Sequence, residues 1–244
     1  MAIISAQGII LKVFDFRETS KIAVFFTEDH GRVTGILKGI RTRPKKFGSS
    51  LERFSLNQIV YYQYRNTDMH LVSQCDMRSY FYPIRQDLRR SMAASYAMEL
   101  VYLMMPPEMP NKRIFRLLMH YLEDLQSCDD VDHLVKIFQI KALYFSGFRP
   151  HLDTCLQCQN KVHGRSWFSL QDGGLICNGC AGEQQSLHPI SPGTVATMLT
   201  VERSSWNNCR RVKLLPKSRE ELKYILNNFL VFHLGRKVKS AKYL

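Results

Sequence analysis

Four cysteines carry the most specific chemistry in this chain. They stand as Cys155-Leu-Gln-Cys158 and, after eighteen intervening residues, Cys177-Asn-Gly-Cys180. A Cys-x-x-Cys pair turns the chain tightly enough for both sulfurs to point the same way, and two such pairs at this separation supply the four soft ligands of a tetrahedral zinc site. The intervening segment reads as a hairpin, with Trp167-Phe-Ser-Leu170 extended, Asp172-Gly173-Gly174 turning, and Leu175-Ile176 running back. Sulfur fills all four positions, so no coordination site is left for water or substrate; the zinc, one per chain, reads as structural rather than catalytic. A redox-active pair would open a helix after a strand, and that context is absent. Cys75, Cys128 and Cys209 are single, far apart, and read as small buried apolar residues.

The second chemistry is electrostatic. Thirty-four Lys and Arg against twenty-one Asp and Glu leave a formal charge of +13 on 244 residues. The excess sits at the two ends: residues 1–80 carry twelve basic and seven acidic groups, and 201–244 carry eleven and three, while the middle is near neutral. Charge segregated in this way points to a polyanion partner, because each phosphate neutralised releases counterions. Its densest run is Lys38-Gly-Ile-Arg41-Thr-Arg43-Pro-Lys45-Lys46, five cations in nine residues, interleaved with Gly, Thr and Pro that keep it out of regular structure. Arg32 lies just before it. Arg210-Arg211-Val-Lys213 forms a smaller cluster, and Arg236, Lys237, Lys239 and Lys242 follow the last helical pattern, where they also complement its dipole.

The elements that must position these groups are legible in the hydrophobic pattern. Residues 1–80 hold five or six short runs rich in β-branched and aromatic residues, among them Gly8–Phe14, Ile22–Phe26, Arg32–Leu37 and Gln58–Tyr64, separated by turn signals and without a helix. That pattern predicts a small β-barrel, either an OB-fold or an SH3-like barrel. Tyr61, Tyr62 and Tyr64 share one strand; 61 and 62 point to opposite faces, so one of them belongs to the core. From Pro83 an apolar stripe at Ile84, Leu88, Met92, Tyr96 and Leu100 predicts a helix that ends at Pro106-Pro107. Asn111 starts a second, and the acidic run before Val131 starts a third that Gly147 stops. After the cysteines a Gly/Gln/Ser linker leads to a short helix from Ser191-Pro192, and Ser218-Arg-Glu-Glu221 reads as the capping box of the last helix. The fold class is α+β and multidomain: an OB-like barrel over 1–80, a helical domain over 81–150, a four-cysteine ribbon over 151–185, and the rest of the helical domain with a basic tail over 186–244.

Several function classes fall away. No run of about 18 or more apolar residues is free of charges, no basic leader precedes a hydrophobic segment, and the thiols suit a reducing, cytoplasmic setting. Neither a phosphate-binding Gly-rich loop, nor a nucleophile elbow, nor a His-Glu-x-x-His helix is present, which argues against an enzyme and a small-molecule substrate. His163, between the cysteine pairs, is not needed as a ligand. On the residues alone two alternatives stay open: a zinc-ribbon adaptor that touches only protein, and a nucleic-acid enzyme with an unrecognised site.

The order of elements, together with Gly8-Ile-Ile-Leu11, Glu18-Thr-Ser20, Phe26-Thr27 before Gly31-Arg32-Val33, Lys38-Gly39-Ile-Arg41, Leu51-Glu-Arg-Phe54 and the closing His233-Leu-Gly-Arg-Lys-Val-Lys239-Ser240, resembles the bacterial recombination mediator RecO family over nearly the whole chain. The resemblance implies a nucleoid-associated, non-enzymatic protein that binds single- and double-stranded DNA and anneals complementary strands. It implies, too, help in loading recombinase onto DNA coated by single-strand DNA-binding protein, with RecR as a partner. The DNA role then falls on Arg32, Lys38, Arg41, Arg43, Lys45 and Lys46, with Arg210, Arg211 and Lys213 in support. By the same resemblance, Lys136 and Phe138 mark the contact for the acidic tail of single-strand DNA-binding protein. Some family members lack the cysteines, so the ribbon is not what the shared activity requires.

Overall fold

A computed structural model describes residues 2–42, 47, 51–64, 66–182 and 187–244. Within it the chain forms two compact units, Met1–Cys128 with Tyr243–Leu244, and Asp129–Lys242.

Alternation of apolar and polar residues builds the first unit around five strands: β1 (Ala2–Phe16), β2 (Ser20–Thr27), β3 (Gly31–Leu37), β4 (Leu56–Gln63) and β5 (Met69–Ser79). They close in the order β1-β2-β3-β5-β4, with β1 returning to β4. Closure depends on the length of β1, whose first half pairs with β4 and whose second half pairs with β2, the ladder shifting register between Ile10 and Lys12. That bulge bends the strand from one neighbour toward the other. Only β3 and β5 are parallel; the other ladders are antiparallel. A five-stranded closed barrel with this crossing is the OB arrangement, which resolves the choice that the strand pattern alone leaves open. Ile10, Phe25, Val33, Leu37, Ile59, Tyr61, Val72 and Cys75 fill the interior. Gly35 has no side chain because a Cβ there would stand 2.3 Å from Val72 Cγ2.

The helix predicted from Pro83 divides. A short α1 (Tyr82–Gln86) ends at Asp87, which is extended and accepts from the Arg90 N–H at 2.8 Å, so it caps a separate α2 (Leu88–Met104). An Asp carboxylate serves the first turn better than it serves a helix interior. The chain leaves α2 at Met105, before Pro106, and α3 (Lys112–Leu125) starts under Asn111, whose side chain accepts from Ile114 N–H at 3.1 Å. Between them Glu108 donates its N–H to the Arg32 carbonyl at 3.1 Å, and its carboxylate meets the buried His70 Nε2 at 2.7 Å. The strap passes so close that a Cβ on Gly31, at φ +66°, would overlap Met109 backbone.

In the second unit α4 (Val131–Ser146) is capped by Asp130, through His133 N–H at 2.9 Å, and stopped by Gly147 at φ +87°. Next come β6 (Ser166–Ser169), β7 (Gly174–Cys177) and β8 (Leu187–Ile190), in the sheet order β7-β6-β8. Then follow α5 (Pro192–Arg203), α6 (Trp206–Cys209), α7 (Pro216–Leu234) and a 3-10 turn over Lys239–Tyr243. Three expectations change. The stretch read as a linker ends in a strand, α6 is additional, and α7 begins three residues early, at Pro216, with Leu215 rather than Ser218 at its N-cap. Proline presets the first-turn φ and needs no N–H partner, so Pro216 starts the helix and Ser218 is buried inside it. Glu221 is thereby released from a capping box, and its carboxylate accepts from Ser191 N–H at 3.0 Å and Ser191 Oγ–H at 2.8 Å, steadying the start of α5.

Candidate metal centre and nucleic-acid surface

Hydrogen bonds within the two cysteine loops set the metal centre. Cys155 N–H donates to Asn160 O at 2.9 Å and Gln159 N–H to Cys155 O at 2.9 Å, folding the first loop back on itself; Cys180 N–H to Cys177 O at 3.1 Å does the same for the second. The β6–β7 hairpin and the bond from Leu156 N–H to Leu175 O, 2.8 Å, bring the loops together. All four Sγ atoms then lie within 4.8 Å of one another, with Cys158 and Cys177 at 3.8 Å. A tetrahedron with metal–sulfur bonds of about 2.3 Å has an edge of about 3.8 Å, whereas a disulfide would need about 2.05 Å. The four are free thiols, suited to holding a metal ion.

Charge leads to the same reading. Burial opposes ionisation of Cys155, yet the N–H groups of Cys158, Cys177 and Gln157 around its sulfur hold that thiol down at about 6, the Cys177 N–H standing 3.3 Å away. Hydrogen bonding to the Cys177 and Cys158 sulfurs pushes Cys180 up to about 12. Four thiolates this close repel, and a divalent cation is what lets all of them ionise. Among the described residues no histidine joins the cluster. Ile176 and Ala181, with Leu156, Val162 and Trp167 beside them, form an apolar backing. Cys75 and Cys209 are buried as expected, whereas Cys128 is half-exposed.

On the barrel, Lys38 and Arg41 are exposed at the end of β3, and Arg41 N–H donates to Thr19 O at 3.0 Å. That bond joins the 38–42 segment to the β1–β2 turn and so to Arg17, an exposed cation in a left-handed conformation, φ +51°, with its guanidinium 5.3 Å from the Phe16 ring. Arg43, Lys45 and Lys46 lie outside the described residues. Arg32 turns inward: it donates to the Tyr102 carbonyl at 2.5 Å and lies 4.4 Å over that ring, with Lys12 Nζ 3.5 Å from the same ring. Tyr61 is the core tyrosine, stacked on His70 at 5.5 Å; Tyr62 is half-buried and Tyr64 exposed.

Ladder register shows something the sequence did not. Phe14 pairs Ile22, Ile22 pairs Ile36, Ile36 pairs Leu71, Leu71 pairs Tyr62 and Tyr62 pairs Ile3, so one apolar row crosses every strand on the barrel's outer side. Phe14 and Ile3 are exposed and the other four half-buried. The signal was present in the sequence as apolar residues on the polar side of the alternation, but it needed the register to connect them.

In the second unit Arg210, Arg211 and Lys213 are exposed beyond α6, where the Arg210 carbonyl accepts from His133 Nε2 at 3.0 Å. Lys136 is buried on α4, 3.3 Å from Asp132 Oδ1, and that burial lowers its pKa. Phe138, 0% exposed, packs in the core.

Two family models meet this chain end to end. Recombination protein O N terminal matches residues 1–81 and Recombination protein O C terminal matches 85–242. The chain belongs to the recombination protein O family. Among curated relatives, the DNA repair protein RecO of Syntrophus aciditrophicus is 28% identical over 98% of this chain and 93% of its own length. That of Moorella thermoacetica is 27% identical over 98% and 89%, and that of Bacillus pumilus 26% over 99% and 93%. A role in DNA repair and recombination follows from membership of the family. No helix of the described residues is long and apolar enough to cross a membrane.

Proposed function

We propose that this protein binds single- and double-stranded DNA and anneals complementary strands, and that it helps load recombinase onto DNA coated by single-strand DNA-binding protein, with RecR as a partner. The observation that carries this reading is the exposed trio Arg17, Lys38 and Arg41 on two loops tied by one backbone bond, on an OB barrel whose outer wall bears aromatic residues. Annealing needs no bond made or broken in the DNA. Cations spaced along a loop screen the phosphates of two strands, and an apolar wall gives unstacked bases a resting place while their pairing edges stay free. Zinc is the ion that a closed four-thiolate set selects, and it ties β6, β7 and their flanking loops into one piece, a structural role with no catalytic step. We assign the acidic tail of single-strand DNA-binding protein to α4, where the part-exposed Asp132 covers the buried Lys136: an incoming carboxylate reaches Lys136 only if Asp132 swings away, and the wholly buried Phe138 supports the helix without touching the tail.

The test is a change of Lys38, Arg41, Lys45 and Lys46 together to Ala. Binding to labelled oligonucleotides is expected to weaken strongly, with the plot of log affinity against log salt shallower by roughly 0.7 per lost contact on single strands and 0.9 on duplex, and with an unchanged melting temperature. Wild-type affinity at every salt concentration would overturn the assignment.

A further inference from the structure

One cleft in the second unit adjoins the metal centre through Trp167 but is lined by none of its four cysteines. It encloses about 590 Å³ between the β6–β8 ladder and the beginnings of α5 and α7. Trp167 and Pro189, directly paired across the ladder, line it with Pro192. Arg165 and Lys217 are exposed at its edge, and the mostly buried Glu221 carboxylate reaches it from α7. An indole flanked by two prolines gives a flat apolar shelf. The Trp167 nitrogen is itself covered and without a partner, so recognition there is by stacking.

We propose that this cleft is a second contact for single-stranded DNA, holding one unstacked base against Trp167 with the adjoining phosphates on Arg165 and Lys217. The proposal rests on the DNA-binding reading given above and places a separate contact on the cysteine ribbon. Glu221 decides between a base and the other ligand of similar shape, an aromatic side chain next to a carboxylate. Ser191 occupies one carboxylate oxygen with two bonds and Lys217 Nζ stands 3.9 Å from the other, a loose pair that leaves Glu221 able to take an N–H from a base edge. A carboxylate beside the aromatic ring would be held against Glu221, whereas the phosphates of a stacked nucleotide lie a sugar's length away, on the exposed Arg165 and Lys217. Stacking tolerates every base, so the contact is expected to lack sequence preference.

The chain carries its own reporter, since Trp167 and Trp206 are its two tryptophans. In a Trp206→Phe background, with zinc present throughout, a short oligothymidylate is expected to quench Trp167 emission saturably. Arg165→Ala with Lys217→Ala, which leaves the ribbon packing untouched, is expected to abolish the quench and flatten the salt slope by roughly 0.7 for each cation. Trp167→Ala is expected to weaken oligonucleotide affinity about tenfold, and Trp167→Phe much less. Anisotropy of a labelled oligonucleotide is read in parallel. Binding seen by anisotropy without any Trp167 quench overturns this site and leaves the DNA-binding reading standing. No binding by either readout overturns both. Quenching by an acidic, aromatic-ended peptide but not by oligothymidylate also overturns the site.

Discussion

At neutral pH the Asp130 carboxylate serves two partners, capping α4 through His133 N–H and pairing with Arg219 Nη2 at 2.5 Å. Hydrogen bonding from Arg219 holds its carboxyl down at about 2, against an ordinary value of 3.8. A group whose folded pKa is depressed contributes stability above its unfolded pKa and loses it as pH falls through the folded one, here between about 4 and 2. The pair is substantially exposed, so its worth is under about 1 kcal/mol. Asp130→Asn keeps a capping side chain and removes only the charge. Its melting temperature is expected to fall slightly below that of the parent at pH 7 and to converge with it as pH approaches 2. A difference that persists unchanged at pH 2 would show that Arg219 does not set the Asp130 charge.

Elements obey the same local logic where their signals are local. Asn111, Asp130 and Ser191 cap helices and Gly147 ends one, each legible in the sequence because a cap is settled by a few neighbouring atoms. The clustering of Cys155, Cys158, Cys177 and Cys180 was legible for a related reason: short Cys-x-x-Cys loops leave the two sulfurs little freedom to point apart. Burial was less legible. Arg32 reads as a surface cation until α2 presents the Tyr102 carbonyl to it, and Lys136 looks free until α4 packs. The apolar row on the barrel depends on register, which alternation alone does not specify. Gly35 belongs with these, since nothing in the sequence reveals Val72 beside it. Gly35→Ala is expected to cost about 1–3 kcal/mol by overpacking, read from the midpoint of chemical denaturation, and adding Val72→Ala should recover part of that loss. Strict additivity of the two costs would mean that the two residues do not compete for the same space.

At the scale of the whole molecule, charge is shared by both units while the cysteine cluster belongs to one. Residues 1–128 carry eighteen basic and twelve acidic groups, and 129–242 carry sixteen and nine, so each unit is basic in its own right. The cysteine cluster and both tryptophans lie in the second unit alone. Trp167 packs against the apolar backing of that cluster, so its emission reports whether the ribbon is closed. Without a cation, four thiolates cannot share the space, and the protonated thiols that replace them no longer draw the two loops together. A strong zinc chelator is therefore expected to shift tryptophan emission to the red and to lower the melting temperature, with zinc restoring both. Cys155→Ser with Cys177→Ser should mimic the chelated protein and be insensitive to added zinc. The barrel has no ligand in the cluster, so the near-ultraviolet dichroism of its one core tyrosine, Tyr61, and of the phenylalanines packed with it should persist under the same treatment. Chelation that removes the metal, confirmed by elemental analysis, yet leaves tryptophan emission and melting unchanged would mean that the backbone bonds around Cys155 and Cys177 hold the ribbon without it.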